Sequence, residues 1–384
     1  MNETISMISG KMMRDLTENI LPFWMHKATD PVGGWHGEIL RDGTVVPGAK
    51  RSLILNARIL WTFSAAYRVL KRPEYLEAAR RAFDYITTRF LDPSGGAYNK
   101  LNADGSVAEH TKFTYAQGFT LYAFSEYARA TGGEGIELAD RMFGYIEREC
   151  KTDAGYLEFA KGSPELESDP GKMLTMNTHL HIIEPVTNYL RIRRTPQIEA
   201  ASRNLLRIFF DRIISGDCPH FDLFFTPDWQ PLVHENSYGH DIEGSWLLFE
   251  AAEVLGDAEL LAQAKTTALA MAGAVLTEGI AASGAVYDHG IRGADTPEPL
   301  FVWWGQAEGI VGFINAYQLS GDKKYLDAAI RCWDYTAEKI INPGGEWFAT
   351  GTDSIDDENT PYLVDAWKCP YHNGRAALEV LDRI

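Results

Sequence analysis

One short phrase recurs six times along this chain, at intervals of 59 to 66 residues. Each copy opens a short extended stretch with a glycine or an aromatic residue, as in Gly34-Trp35-His36-Gly37. A repeat of this length is typical of one closed or stacked architecture to which every repeat contributes an equivalent unit. The other copies are Gly96-Ala97-Tyr98, Gly155-Tyr156-Leu157, Phe221-Asp222-Leu223, Gly284-Ala285-Val286-Tyr287 and Gly345-Glu346-Trp347-Phe348.

Two kinds of helix alternate between the phrases. Residues 56–67 are apolar on nearly every side, which is typical of a helix inside a helical shell. The following segment begins at Arg72-Pro73, with proline in the first turn, and carries one polar face, which predicts an outer helix. Later repeats place an acidic cap directly after a glycine stop, at Gly256-Asp257 and Gly321-Asp322.

These patterns predict an all-α fold, an (α/α)6 barrel of twelve helices. It would begin with an outer helix near 8–28 and close with an inner helix near 372–383. The phrases would form short hairpins on the face where the inner helices begin. No linker divides the sequence, so we expect a single catalytic domain over 1–384. An open solenoid is the alternative, but it needs polar capping repeats that the sequence does not contain.

Composition limits the class of partner. The formal net charge of −17 disfavours nucleic acid and anionic membranes and favours a neutral ligand. Aromatic residues make up 12% of the chain, which suits a flat ligand such as a sugar, although core packing accounts for most of them.

Four scattered cysteines, no apolar leader and no run of 18 apolar residues predict a cytoplasmic protein without a membrane span. We expect a monomer or a weak homo-oligomer.

Each repeat carries one polar or aromatic side chain in otherwise apolar company, about 19 to 27 residues after its phrase. Equivalent positions in a closed barrel lie on the same rim, so these side chains predict a ring-shaped active site. They are Arg58, Tyr115, His181, His240, Glu308 and His372.

Helical spacing selects the partners of the histidine in the third repeat. Asn177 and His181 are four residues apart and share a helix face. His179 is two residues from His181 and points elsewhere, so we predict that it is a hydrogen-bonded packing histidine.

Each of the next two repeats places a glutamate on the same helix face as a histidine or a tryptophan. His240 and Glu243, at i and i+3, suit either a metal pair or an oriented base with its hydrogen-bond partner. Trp304 and Glu308 share a face by their four-residue spacing, and a bound sugar would explain both in a buried helix.

The last repeat places His372 just after Pro370, near the start of a helix. The helix dipole there lowers an imidazole pKa, which favours the neutral form that a base requires.

Five blocks of the sequence resemble the signature blocks of cellobiose 2-epimerases, a branch of the N-acylglucosamine 2-epimerase superfamily. They occur in the same order and span nearly the whole chain. The blocks are Asn56-Ala57-Arg58-Ile59-Leu60-Trp61-Thr62-Phe63-Ser64, Met176-Asn177-Thr178-His179-Leu180-His181, Tyr238-Gly239-His240-Asp241-Ile242-Glu243, Trp303-Trp304-Gly305-Gln306-Ala307-Glu308 and Trp367-Lys368-Cys369-Pro370-Tyr371-His372-Asn373-Gly374-Arg375.

The resemblance implies an (α/α)6 barrel that inverts C2 of a reducing-end glucose in a β-1,4-linked disaccharide, with no metal, nicotinamide or other cofactor. By position, His240 and His372 match the acid/base pair, and Arg58 and His181 match groups that hold the O1/O2 end. The positions that match substrate-binding residues are Asn177, Glu243, Trp304, Glu308, Trp367, Tyr115 and Asp169.

The residue types suit this chemistry independently. A C2 proton of an aldose is acidic only when C1 is an open-chain carbonyl, so the ring has to open first. Proton removal then leaves a cis-enediolate, whose charge Arg58 can bind. Proton return to the other face requires a second acid/base group or rotation of the intermediate, and two histidines meet either requirement.

Other functions use subsets of the same residues. A glycosidase on this barrel would use Glu243 and Glu308 as its two carboxylates. A metal-dependent hydrolase would use His181, His240 and Glu243. Mannose-type aldose–ketose isomerases and N-acylglucosamine 2-epimerases share the barrel and the histidine pair with the family that the sequence resembles. A non-catalytic sugar-binding or scaffold protein would leave the buried histidines unexplained.

Overall fold

Twelve helices form two concentric rings in the computed structural model, which describes residues 3–168, 174–214, 219–293 and 297–384. The inner helices, numbered 1 to 6 in chain order, are Leu53–Leu70, Thr114–Thr131, Met176–Leu190, Tyr238–Leu255, Trp303–Ser320 and Tyr371–Asp382. The outer helices are Glu3–Asp15, Pro73–Tyr85, Ile136–Glu149, Pro196–Ile208, Ala258–Glu278 and Lys323–Tyr335.

Four outer helices continue through a wider π turn. These turns are Leu16–Ile20, Ile86–Phe90, Phe209–Ile213 and Thr336–Ile340, and the first leads into a further segment, Leu21–His26. One short helix, Pro164–Ser168, lies outside both rings.

Burial separates the two rings as the sequence predicts. Inner helix 1 is buried at every position from Leu53 to Ala66, whereas the following outer helix buries only Tyr75, Ala79 and Ala82 in its regular part. Inner helix 6 packs against inner helices 1 and 5 and against the first outer helix, so the ring closes. The predicted (α/α)6 barrel is confirmed.

Short antiparallel strands lead into the inner helices. Ser52, Thr175 and Ser237 each end a strand directly before an inner helix begins. Strand pairing joins the first turn region to the last through Ile39 and Val364. The strands are Ile39–Leu40, Arg51–Ser52, Lys100–Leu101, Val107–Glu109, Leu174–Thr175, Phe224–Phe225, Glu235–Ser237, His289–Ile291 and Tyr362–Val364.

Each of the six phrases forms one isolated antiparallel bridge back to the end of the preceding outer helix. The bridges are Thr29 to Trp35, Leu91 to Ala97, Lys151 to Tyr156, Ile214 to Phe221, Ile280 to Val286 and Ile341 to Trp347. The repeated phrase is therefore the turn that brings the chain from the outer ring to the inner ring.

A polar side chain at the fourth position of an inner helix fixes this turn in four repeats. Gln117 accepts a hydrogen bond from the Ala97 amide at 2.8 Å and donates to the Ala97 carbonyl at 3.0 Å. Gln306 holds Val286, and Asp241 holds Phe221, through equivalent amide contacts. Because both partners of each contact are buried, these bonds fix the register between a phrase and its helix.

His179 occupies the same fourth position. Its Nε2 accepts a hydrogen bond from the Tyr156 amide at 3.0 Å, and its Nδ1 lies 2.7 Å from the Thr175 carbonyl. Burial lowers its pKa to about 4, so the ring is neutral. It is the packing histidine that the sequence predicts.

The predicted glycine stops and acidic caps are also present. Gly256 and Gly321 end inner helices 4 and 5 with φ of 79° and 73°. Asp257 and Asp322 then accept amide hydrogen bonds from the first turn of the next helix. Left-handed φ at these positions favours glycine over any residue with a Cβ atom.

The outer helix Ala258–Glu278 is long and apolar enough to cross a membrane by length and composition alone. Its buried face includes Leu260, Met271 and Val275, and it packs on inner helix 4. In the structure it is an outer helix of the barrel.

Inner helices 2 and 3 are in close contact at Gly118, where a Cβ atom would lie 2.5 Å from the His181 carbonyl oxygen. We predict that Gly118→Ala lowers the free energy of unfolding by about 1–3 kcal/mol, because the two backbones have to separate. Gly10→Ala is the control: nothing lies within 4 Å of its Cβ position on the first outer helix. We expect it to stabilise by up to about 1 kcal/mol. Urea denaturation of both variants tests this, and equal effects would contradict the close contact.

Candidate active site

A cavity of about 250 Å³ lies at the end of the barrel where the inner helices begin. Most of its lining comes from the first two turns of inner helices 1 to 6, and the rest comes from the loop before inner helix 6. The lining residues are Arg58, Tyr115, Asn177, His181, His240, Glu243, Trp303, Trp304, Glu358, Asn359, Trp367 and His372.

Position along each helix decides which side chains reach the cavity. Tyr115, Asn177, Trp304 and His372 are second residues of their inner helices, and His240 is a third residue. Arg58, His181 and Glu243 are sixth residues, one turn deeper in the barrel. The repeat therefore forms two stacked layers, because residues four apart lie on one helix face.

Aromatic rings follow one another around the cavity. The Tyr115 ring centroid lies 4.6 Å from that of His181, and the His181 centroid lies 6.4 Å from that of His240. The Trp304 ring centroid lies 4.6 Å from that of His240 and 5.7 Å from that of His372. The two candidate acid/base histidines thus both contact the ring of Trp304.

His240 is oriented by the residue that precedes its helix. Its Nδ1 lies 2.7 Å from the Ser237 hydroxyl oxygen, at the N-cap position of inner helix 4. Burial, with a contribution from His181, lowers the pKa of His240 to about 3. The ring is therefore neutral at pH 7, and no described residue hydrogen-bonds to its Nε2.

His372 is oriented by a carboxylate. Its Nδ1 lies 2.7 Å from Glu308 Oε1. Burial lowers the pKa of His372 well below the ordinary value, and the nearby cations Arg58 and Arg375 lower it further. A neutral ring that donates Nδ1–H to a carboxylate presents Nε2 as a base.

His181 has the same arrangement one repeat earlier. Its Nδ1 lies 3.1 Å from Glu184 Oε2, on the same helix. Burial lowers the pKa of His181 despite this carboxylate. In each of these three site histidines, a hydrogen bond at Nδ1 fixes the ring orientation.

Arg58 supplies the positive charge of the cavity. Nη2 donates to the Tyr115 hydroxyl at 2.5 Å and Nη1 donates to the Trp367 carbonyl at 3.3 Å. The guanidinium packs over the Phe119 ring at 4.3 Å. Its side chain is buried, so the charge acts in a low-dielectric environment where it is effective against a developing oxyanion.

Arg375 lies beneath the cavity and contacts three buried glutamates. Nη2 donates to Glu243 Oε1 at 2.5 Å and to Glu308 Oε1 at 2.7 Å, and Nη1 donates to Glu184 Oε1. The Tyr371 hydroxyl donates to the same Glu184 oxygen. Glu184 and Glu308 each contact a site histidine, so Arg375 connects His181 to His372.

The pKa values of two of these glutamates move in opposite directions. Burial opposes ionisation of Glu184, but Arg375 and His181 lower its pKa below the ordinary value. Burial raises the pKa of Glu243 well above its ordinary value, and the neighbouring Glu308 raises it further. Arg375 opposes this rise through its hydrogen bond to Glu243 Oε1. Its Oε2 is buried and has no hydrogen-bond partner among the described residues.

Comparison with known proteins assigns the chain to a family. The family model described as N-acylglucosamine 2-epimerase (GlcNAc 2-epimerase) matches residues 33–372. The chain belongs to the N-acylglucosamine 2-epimerase family. It is 40% identical to the cellobiose 2-epimerase of Bacteroides fragilis, over 97% of this chain and 98% of that protein.

Two solved structures in this comparison have the same fold over their full length. A sugar epimerase from a ruminal bacterium superposes with a TM-score of 0.91 at 33% identity, covering 98% of each chain. The cellobiose 2-epimerase of Bacillus thermoamylovorans superposes with a TM-score of 0.90 at 31% identity, covering 99% of this chain and 100% of that chain.

Nine of the eleven site residues predicted from the sequence line the cavity of this family member. Glu308 does not: its carboxylate lies behind His372 and also accepts a hydrogen bond from Trp246 Nε1 at 3.1 Å. In the structure Glu308 contacts the candidate acid/base histidine, and its contact with substrate stays a prediction. Asp169 lies outside the residues that the structure describes.

Several contacting residues were missed by the sequence reasoning, although spacing signals were available for some. Glu184 is three residues after His181, and Ser237 is three residues before His240. The first spacing brings two side chains together on one helix face, and the second places Ser237 at the N-cap before His240. Arg375 ends the last of the five sequence blocks, but only closure of the helix ring brings it to Glu184, Glu243 and Glu308. Glu358 and Asn359 come from a loop that carries no helical pattern.

Arg375→Met removes the shared partner of three buried glutamates while keeping a similar volume. We predict a loss of about 3–5 kcal/mol in the free energy of unfolding, because carboxylates are left buried without a partner. Arg193→Met is the matched control. Its guanidinium lies 2.7 Å from Asp140 on the exposed surface, and its loss has much less effect. Chemical denaturation measures both, and an Arg375 variant as stable as the Arg193 variant would contradict the cluster.

Proposed function

We propose that this protein is a carbohydrate 2-epimerase that inverts C2 of the reducing-end glucose in β-1,4-linked disaccharides. Cellobiose would give glucosyl-mannose, and lactose would give epilactose. The observation that carries the proposal is that two neutral histidines with available Nε2 atoms share one cavity with the buried cation Arg58. The similarity to cellobiose 2-epimerases over nearly the full length supports this choice of substrate.

In this proposal the reaction begins with ring opening, which exposes the C1 carbonyl. One of His240 and His372 removes the C2 proton, and Arg58 and His181 bind the O1/O2 end of the cis-enediolate. The neutral imidazole becomes a positively charged imidazolium when it accepts the proton. Glu308 stabilises that cation when the base is His372, since the carboxylate lies 2.7 Å from Nδ1.

Proton return to the opposite face of C2 completes the inversion. His240 and His372 both lie next to Trp304 in one cavity, so either a two-base transfer or rotation of the intermediate between them fits the site. Asn177 and Glu243 have buried oxygens without partners among the described residues, which are available to substrate hydroxyl groups. Trp304 offers an apolar face for the sugar ring.

A glycosidase mechanism fits this site less well. Glu243 and Glu308 both accept hydrogen bonds from the same nitrogen of Arg375, and Glu308 does not line the cavity. Two carboxylates that flank a glycosidic bond have to reach the sugar from both sides.

A cytoplasmic location and a monomeric or weakly homo-oligomeric state complete the proposal. Free, buried Cys150, Cys332 and Cys369 support a reducing compartment.

Incubation with cellobiose, lactose, mannose and N-acetylmannosamine, followed by chromatography, tests the proposed substrate class. We expect C2 epimers of the two disaccharides. Turnover of mannose to a ketose without any epimerisation of a disaccharide would instead place the protein among the mannose-type isomerases.

His240→Ala and His372→Ala should each lower the epimerisation rate by at least about 10²–10⁴-fold, because each removes a proton-transfer group. Circular dichroism should show an intact fold. Exchange of solvent deuterium into C2 separates the two roles, since one variant can exchange the proton of one epimer without inverting it. His26→Ala, at the exposed end of the segment Leu21–His26, is the control. Near-native turnover in either site variant would overturn the two-base assignment.

Trp367 is predicted to determine disaccharide specificity. Its side chain is 39% exposed at the cavity mouth, with its ring centroid 5.5 Å from that of Tyr115. A ring there is available to stack on the second sugar, a contact of about 0.5–1.5 kcal/mol. Trp367→Ala should raise KM for cellobiose roughly two- to tenfold with little change in kcat. Trp367→Phe should restore part of the loss. An equal effect on a monosaccharide substrate would place Trp367 against the reacting sugar.

A further inference from the structure

Three side chains of the cavity have the composition and arrangement of a transition-metal site. One ligand atom from each of His181, His240 and Glu243 lies within 4.8 Å of the other two. Two imidazoles and one carboxylate are a common protein ligand set for Zn²⁺, which leaves a fourth position for water or another oxygen.

The hydrogen bonds of these residues leave the right atoms available. Nδ1 of His181 is engaged by Glu184, and Nδ1 of His240 is engaged by Ser237. Both rings therefore present Nε2 to the cavity. Glu243 uses Oε1 for Arg375, while its Oε2 is buried with no partner among the described residues.

The surrounding contacts also resemble those of metal-binding histidines. A metal-bound imidazole usually donates its other nitrogen to a carboxylate, carbonyl or water, which fixes the tautomer and the ring direction. His181 and Glu184 form such a pair at 3.1 Å, and Arg375 in turn holds Glu184. Zn²⁺ bonds are about 2.0–2.2 Å long, so ligand atoms that lie up to 4.8 Å apart have to approach one another when the ion binds.

We propose that the cavity binds a borderline divalent transition-metal cation, such as Zn²⁺, through His181 Nε2, His240 Nε2 and Glu243 Oε2. The cation is not a cofactor in this account. It occupies the space in which the sugar is proposed to bind, so metal and sugar exclude each other. This competition rests on the proposed function, whereas the metal site itself does not.

A second group of potential ligands shares Glu243 with the first and provides the matched control. Glu243, Glu308 and His372 also have ligand atoms within 4.8 Å. However, His372 Nδ1 and Arg375 already occupy Glu308 Oε1. We therefore expect His372 to contribute nothing to metal binding, although it is as close to the proposed chemistry as His240.

Calorimetric titration of chelator-stripped protein with ZnCl₂ tests the site, with Co²⁺ absorption as a readout of tetrahedral geometry. We expect one ion per chain, and at least a tenfold rise in Kd in His181→Ala, His240→Ala and Glu243→Gln, with His372→Ala unchanged. Cellobiose should raise the apparent Kd of the native protein. Epimerase activity of the stripped enzyme, assayed separately without metal, should be retained.

Two outcomes would overturn the metal site: no binding at millimolar Zn²⁺, or binding that is lost in His372→Ala and kept in His240→Ala. If one ligand variant does not fold, the other two and the effect of cellobiose on the native protein still decide the question. Loss of disaccharide turnover in the stripped enzyme would count against the proposed function without bearing on the isotherm. Tight zinc binding that cellobiose leaves unchanged would contradict the competition.

Discussion

The site depends on one buried cation, Arg375, and the three glutamates that it contacts. Glu184, Glu243 and Glu308 come from three different inner helices, and Arg375 comes from the helix that closes the ring. Burying so many charges costs desolvation energy, so the cluster is a poor source of net stability. Its consequence is geometric: each contact fixes the angular position of one inner helix relative to the last.

That geometry controls the state of the histidines. Glu184 and Glu308 reach the Nδ1 atoms of His181 and His372, which directs both Nε2 atoms away from the cluster. Burial is the main cause that opposes protonation of both His372 and His240, and Arg58 and Arg375 oppose it further at His372. Burial and the nearby cations thus keep His372 neutral, and the Glu308 carboxylate stabilises the ring once it accepts a proton. This combination suits reversible proton transfer at carbon.

Much of this architecture follows from the sequence, because the repeat and the helix spacing are local signals. The phrase period identifies the turns, and the four-residue spacing separates His181 from His179. The depth of a residue in the barrel was harder to predict. Glu308 shares a helix face with Trp304 but lies one turn lower, where His372 covers it. The contacts of Arg375 depend on ring closure across 191 residues of sequence to Glu184, which no local pattern contains. Asp169 stays a prediction.

The central claim is that His240 and His372 are neutral, oriented bases, and ¹⁵N NMR of histidine-labelled protein measures this directly. Spectra of His240→Gln and His372→Gln variants assign the two signals. The structure predicts that the His240 ring stays neutral from pH 8 down to about pH 5, since burial lowers its pKa to about 3. It predicts that His372 titrates well below the ordinary 6.5, because burial and the nearby cations Arg58 and Arg375 lower its pKa. It also predicts a proton on Nδ1 of His372, bonded to Glu308. A ring that titrates at or above pH 6.5, or a His372 protonated on Nε2 alone, would contradict the account.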